Sequence, residues 1–159
     1  MSLTFFKFHA DSFQEYYRLV SDIRVMAQIT ERALSLVEAK ERYERILKRN
    51  ELHTSFGSYM AWEKENFVGL GHITLKEEQE REAEIGYMLL PEYWGKGYGT
   101  AIAEEMVRLG TESGLHKLVA IIDPENIPSR KILTRLGFVS EELRDFDGLP
   151  GEILSLQVG

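Results

Sequence analysis

The sequence predicts an α/β fold of α+β type: one mixed, mostly antiparallel central sheet of about seven strands with helices on both faces. Three observations carry this. Short strand-like runs joined by turn chemistry stand at both ends of the chain, which is the pattern of antiparallel hairpins. Between them, residues 82–90, a helix and residues 117–122 form a strand–helix–strand unit, whose default is a right-handed parallel crossover. The run 117–122 is apolar on both faces (Leu118, Val119, Ala120, Ile121, Ile122), as befits an inner strand covered on both sides.

The elements follow in order. Residues 3–9 read as an opening strand. Asp11 or Ser12 is placed to cap the next helix, whose apolar side carries Phe13, Tyr16, Tyr17 and Val20. A longer helix spans residues 35–50, with Leu36, Ala39, Tyr43, Ile46 and Leu47 on one face and Glu38, Lys40, Glu41, Arg45 and Lys48 on the other. Residues 55–62 and 66–75 make a hairpin turning at Glu63, Lys64 and Glu65. The charged stretch 76–84 reads as a solvated hairpin, and the strand 82–90 stops at Pro91. Residues 98–113 form a helix burying Ile102, Met106 and Leu109, ended by Gly114. After the strand 117–122 comes a short helix at 129–136 ended by Gly137, then strands at 138–144 and 152–158.

Bulk properties narrow the function. A chain of 159 residues suits one domain, 1–159. The net charge of -7 leaves no basic surplus to neutralise phosphates, so nucleic acid and anionic membranes are not expected partners. The absence of cysteine removes disulfides, thiolate metal sites and a cysteine acyl-enzyme, and accords with a cytoplasmic setting. The first ten residues do not have the form of a signal peptide, and no apolar run is long enough to span a bilayer. His9, His53 and His116 have no ligand spacing, so no metal site is expected.

The strongest chemical signal is Tyr93-Trp94-Gly95-Lys96-Gly97-Tyr98-Gly99-Thr100, lying between a strand and a helix. Alternating glycines remove Cβ atoms where a ligand approaches backbone. The first-turn N–H groups and the helix dipole then face that ligand, and Lys96 adds a point charge, so a diphosphate is the natural guest. A P-loop and a dinucleotide fingerprint both need other glycine spacings. A tight strand-to-helix turn with no ligand would also use these glycines. The second signal is Asp123-Pro124-Glu125-Asn126-Ile127-Pro128-Ser129, which follows the buried strand. On its own, Asn126 reads as a turn residue and Ser129 as a helix cap. Beside the glycine turn, the two segments frame a cleft at the C-terminal ends of two parallel strands.

Together these segments resemble the GNAT superfamily of N-acetyltransferases over nearly the whole chain. The family's pyrophosphate motif falls on Trp94-Gly95-Lys96-Gly97-Tyr98-Gly99, with Trp94 replacing the usual Gln or Arg. Ile85-Gly86-Tyr87, residues 91–98, Asn126-x-x-Ser129 and Leu136-Gly137-Phe138 resemble the branch of ribosomal-protein N-terminal alanine acetyltransferases, where Trp is common at that position. The resemblance implies a splay between strands 82–90 and 117–122 that takes the pantetheine arm of acetyl-CoA. The arm would pair with backbone near Met88, Leu89 and Leu90, the diphosphate would sit on Gly95, Lys96, Gly97, Tyr98, Gly99 and Thr100, and Asn126 and Ser129 would face the arm near the thioester. The implied reaction is direct acetyl transfer to a primary amine: a protein N-terminus, a polyamine or a small amine. A thioester-polarising N–H is expected near Met88.

Many family members use as acid a tyrosine at the position held here by Leu133, which leaves Ser129 as the candidate acid. Glu84 is the candidate base, on the strand face of Gly86 and Met88, with His72 next. Trp62, Trp94 and Tyr87 read as packing aromatics, with Tyr87 also able to line an acceptor pocket. The rival readings are a non-catalytic acyl-CoA-binding or sensor domain and a small nucleotide-binding protein. A homodimer is the expected assembly on base rates.

Overall fold

The computed structural model describes all residues except 28, 30, 31 and 78–80, and the side chain of Glu77. The middle of the charged stretch 76–84 therefore lies outside the described residues; its last residues belong to a strand. The elements are β1 (Thr4–Lys7), α1 (Phe13–Val20), α2 (Ile23–Met26), α3 (Leu36–Leu52), β2 (Gly57–Glu63), β3 (Asn66–Glu77), β4 (Glu82–Leu89), α4 (Tyr98–Glu112), β5 (Lys117–Ile122), α5 (Ile127–Arg135), β6 (Val139–Phe146) and β7 (Leu149–Gln157). Seven strands form one sheet in the order β1-β2-β3-β4-β5-β7-β6. All neighbours are antiparallel except β4 and β5. This is the expected mixed sheet, with the parallel pair inside it.

Each face has its own core. One cluster joins Leu19, Val20, Ala39 and Tyr43 of α1 and α3 to Met60, Phe67 and Leu70 of the sheet. The other joins Met106 of α4 and Leu133 of α5 to Ile73, Ile85, Leu118 and Leu154. Each such large apolar side chain contributes about 1.5–3 kcal/mol by leaving water. The sheet is thus covered by α1–α3 on one side and by α4 and α5 on the other.

Local chemistry fixes the elements. Ser35 accepts the Glu38 N–H at 3.2 Å while Glu38 accepts the Ser35 N–H at 3.0 Å. This reciprocal cap sets the start of α3. Its far end is held by Lys7, whose ammonium donates to the carbonyls of Asn50 (3.0 Å), His53 (2.5 Å) and Phe56 (2.9 Å).

Three expectations need correction. Ser12 precedes α1, but its hydroxyl is used by His9 and Tyr43 and makes no cap bond. Leu36 is 44% exposed, so the buried stripe of α3 begins at Ala39. The last helix begins at Ile127, with Asn126 as its cap: the Asn126 side chain accepts the Ser129 N–H at 3.3 Å. The capping role assigned to Ser129 therefore belongs to Asn126.

Candidate functional site

β4 and β5 run side by side for 8 and 6 residues but pair only at Glu82–Lys117, Ala83–Leu118 and Glu84–Val119. Beyond Glu84 the two strands part. The parting opens a wedge whose apex is Glu84 and whose mouth lies between the glycine turn after β4 and the Asn126 turn after β5.

Parity decides which backbone groups of β4 edge this wedge. The Leu90 N–H donates to the Val68 carbonyl at 3.0 Å. In an antiparallel ladder both groups of a bonded residue face the same partner, and alternate residues face opposite ways. The register from Leu89–Gly69 to Ala83–Leu75 is regular, so even-numbered residues of β4 address β3. Ile85, Tyr87 and Leu89 address the wedge. Two contacts agree: the Met88 carbonyl lies against Gly69, and the Leu89 carbonyl accepts the Trp94 indole N–H at 3.1 Å. The expected backbone pairing is corrected at Met88 and Leu90, while Leu89 keeps its place on the wedge. Leu90 donates to Val68 and its carbonyl accepts the Tyr93 N–H at 3.0 Å, so both its groups are used. Met88 faces β3, and the N–H groups of β4 that face the wedge are those of Ile85, Tyr87 and Leu89.

The glycine turn is open where a diphosphate would approach. A Cβ at Gly95 would meet nothing within 4 Å, and at Gly97 only Met1 Cε at 3.6 Å. Gly95 has φ 70° and Gly97 φ 92°, a left-handed conformation that favours glycine. Gly97 begins α4 without a side-chain cap. The Ala101 N–H reaches the Gly97 carbonyl at 3.1 Å, and the N–H groups of Tyr98, Gly99 and Thr100 precede it in the uncapped first turn. Lys96 is exposed beside them. The Tyr98 hydroxyl is turned away to Glu63 Oε1 at 2.6 Å. These features fit a diphosphate. Gly99 differs from its neighbours: a Cβ there would press on Ile132 Cδ1 at 3.1 Å and on Leu89 and Tyr87 at 3.5 Å. Its missing side chain lets α4 pack on α5 and β4, while its backbone N–H stays in the uncapped first turn.

The side chains of β4 divide between the two faces. Glu84, Gly86 and Met88 share the α1–α3 face, as expected. Burial pushes the Glu84 carboxyl above the usual carboxylate range, against the pull of Lys76 and Arg49. His72 pairs with Gly86 across the strands, and a Cβ at position 86 would fall on the His72 ring. Gly86 thus makes room for the imidazole. His72 Nδ1 lies 3.3 Å from Thr74 Oγ1. Burial, with the Arg49 charge second, lowers the His72 pKa to about 4. The imidazole is therefore neutral at pH 7 and a weak base, which favours Glu84 for proton removal.

That depressed value has a consequence for stability. The unfolded chain protonates this histidine near 6.5 and the folded chain only near 4, so the contribution is complete above 6.5 and is lost as pH falls through that interval. In urea titrations at several pH values, His72→Gln should flatten the loss of midpoint between those limits relative to wild type. Parallel profiles would show that the imidazole is not shielded.

On the α4–α5 face, Tyr87 lies under Gly99, and its hydroxyl has Ser129 as polar neighbour. Tyr87 therefore does not line an acceptor pocket on the Glu84 side. Leu133, where the family tyrosine is expected, is fully buried in the core. The sequence reading also missed Glu152 of β7, 1% exposed and ion-paired with Arg130. The pair ties the first turn of α5 to the sheet beside Ile122, the last residue of β5. A separation of 22 residues gives it no sequence signal. No group of three metal-ligating side chains occurs among the described residues.

The strand order, the parallel pair that parts and the helix begun by a left-handed glycine define the GNAT fold. Residues 2–139 match the acetyltransferase (GNAT) domain family. The chain belongs to the GNAT acetyltransferase family, whose class is that of N-acetyltransferases. It is 31% identical over 101 residues to the uncharacterized N-acetyltransferase p20 of Bacillus licheniformis, spanning 62% of this chain and 57% of p20. It is 29% identical over 137 residues to the uncharacterized N-acetyltransferase YnaD of Bacillus subtilis, spanning 85% and 78%. To the spermidine N(1)-acetyltransferase of Escherichia coli (strain K12) it is 36% identical over 75 residues, 46% of this chain and 40% of that enzyme. Its fold matches that of spermidine N-acetyltransferase from Vibrio cholerae in complex with CoA and spermine, with a TM-score of 0.83 at 18% identity over 98% and 95% of the two chains.

Proposed function

We propose that this chain is a single-domain, cytoplasmic N-acetyltransferase that takes acetyl-CoA as co-substrate and acetylates a primary amine directly. The observation that carries the proposal is the wedge itself. Two strands that stop pairing at Glu84 and Val119 leave the Tyr87 backbone and the Leu89 N–H to pair with an extended arm, the Leu89 carbonyl being held by Trp94, and the wedge ends beside a glycine turn open to a diphosphate. Gly95, Lys96, Gly97, Tyr98, Gly99 and Thr100 would hold the diphosphate, Gly99 through its backbone N–H, and Asn126 would present its amide N–H to the arm, its oxygen being committed to Ser129.

The bound thioester would supply an activated acetyl group. The Tyr87 or Leu89 N–H would polarise its carbonyl. Glu84, at the apex with a raised pKa, would receive the proton of the attacking amine directly or through water, and Ser129 would hydrogen-bond the departing sulfur. No metal enters this scheme. The acceptor class favoured by the relatives is a small amine of the polyamine kind, as the name of the Escherichia coli enzyme suggests. The second acceptor reading, a protein N-terminus, rests on the Ile85-Gly86-Tyr87 and Asn126-x-x-Ser129 segments that resemble the ribosomal-protein branch. A homodimer is the proposed assembly.

Acetyl-CoA should raise the melting temperature by binding the native state, and NAD and ATP should not. No shift at millimolar acetyl-CoA overturns the co-substrate assignment. A panel of amines scored by free-thiol release then selects the acceptor. Binding of acetyl-CoA without thiol release across polyamines, small amines and N-terminal peptides would favour the sensor reading.

A further inference from the structure

A cavity of about 110 Å³ opens between the C-terminal end of α3 and β3. Arg49, His53, Phe56 and Gly57 form one wall and residues 73–75 the other. Thr74 joins it to the proposed reaction centre. It is the direct ladder partner of Glu84, so the two side chains stand on one face about 5 Å apart.

The charge of this cavity is one-sided. Among the described residues no carboxylate lines it, in a chain with 26 acidic and 19 basic residues. The Arg49 guanidinium makes no hydrogen bond or ion pair among the described residues, whereas Arg24, Arg108, Arg130 and Arg144 each hold a carboxylate. Helix spacing explains this: the residues three and four before Arg49 are Ile46 and Arg45, and those after it are Leu52 and His53. The carbonyl end of a helix ordinarily repels an anion. Here Lys7 offsets that effect, because its ammonium donates to the carbonyls of Asn50, His53 and Phe56. The Asn50 side chain, bonded to Phe8 and Ser58, fixes the same wall in place.

We propose that this cavity is an anion subsite of the acceptor site, in which Arg49 and His53 bind a carboxylate carried by the amine that is acetylated. The proposal rests on the acetyl-transfer reading above and narrows its acceptor to a small amino carboxylate, with the amine at Glu84 and the carboxylate at Arg49. The carboxylate positions the amine and takes no part in bond making. A polyamine would bring only positive charge to a cavity that already carries it, so this chain's own residues depart from the acceptor in the relatives' names. The anion would also act on the base. Burial dominates the shifts at Glu84 and His72; Lys76 and Arg49 oppose it at Glu84, and Arg49 adds to it at His72. A carboxylate on Arg49 cancels part of the pull on Glu84, which makes Glu84 a stronger base when the fitting acceptor is bound.

The test offers glycine, β-alanine and larger amino acids with acetyl-CoA, each beside the amine that lacks its carboxylate, with spermidine as the all-cationic arm. Free-thiol release should give the amino carboxylates the higher kcat/KM. In Arg49→Met the ratio of amino carboxylate to matched amine should fall roughly ten- to a hundredfold, as for one lost charge-assisted pair, and Arg49→Lys should keep part of it. Arg49 is exposed and methionine is a good helix former, so the variant should fold, and a melting curve checks this. Preference for spermidine or for the matched amines, or a ratio that Arg49→Met leaves unmoved, overturns the subsite. If wild type acetylates nothing, the acetyl-transfer reading has failed, and the cavity is judged by binding alone. A β-alanine titration followed by NMR at the His53 ring should then give saturable shifts in wild type that vanish in Arg49→Met, and their absence in wild type overturns the anion site.

Discussion

Gly97→Val should weaken acetyl-CoA binding at least about tenfold, or about 1.4 kcal/mol. Two effects act together. Gly97 has φ 92°, and a β-branched residue is strained there at a cost of about 1–3 kcal/mol. The chain would relieve that strain by rotating the peptide that begins α4, which moves the N–H groups of Tyr98, Gly99 and Thr100 away from a shared focus. The new side chain would also occupy space that is empty apart from Met1 Cε. Isothermal titration with CoA measures the loss directly, and circular dichroism checks that α4 persists. A folded variant with unchanged affinity would make the turn purely structural. Gly99→Val tests something else, because its Cβ would meet Ile132, Leu89 and Tyr87. That variant should lose stability as well as affinity, and the contrast separates a ligand-facing glycine from a packing one.

The legible parts of this molecule are those in which residue type acts locally. Glycines spaced two apart between a strand and a helix announce an open turn, because glycine takes the left-handed φ found at Gly95 and Gly97 without the steric cost of a Cβ. Residues apolar on both faces announce the inner strand β5. What stayed hidden depends on partners distant in sequence. The wedge-facing groups of β4 are set by its register with β3, so the sequence pointed to Met88 through Leu90 when Tyr87 and Leu89 hold the edge. The four residues of α2 are too few to show a helical period. Glu152 looks like any strand carboxylate until β7 pairs with β5 and brings it under Arg130. Tyr87 looks like a packing aromatic until its hydroxyl is found without a partner. Gly86 is another case: its reason is the His72 imidazole across the ladder, and nothing within its own strand reveals it.

Ser129→Ala should lower kcat by roughly tenfold to a thousandfold, the span from one lost hydrogen bond to a lost general acid. The fold gives this variant a clean reading. Ser129 contributes to the start of α5 through its backbone N–H, which Asn126 accepts at 3.3 Å, and alanine retains that N–H. The hydroxyl is not used for capping, so its removal should leave α5 in place. The diphosphate site lies on a separate turn, at residues 95–100, so KM for acetyl-CoA should change less than kcat. The companion change Asn126→Ala should show the reverse pattern. It removes a helix cap at a cost of about 1 kcal/mol and also removes the amide N–H offered to the arm, so KM and stability should suffer first. Steady-state kinetics on both variants, with melting curves alongside, decides between the roles. A Ser129→Ala enzyme with full kcat and a raised KM would reassign Ser129 to co-substrate binding, and the sulfur would then leave without help from this chain.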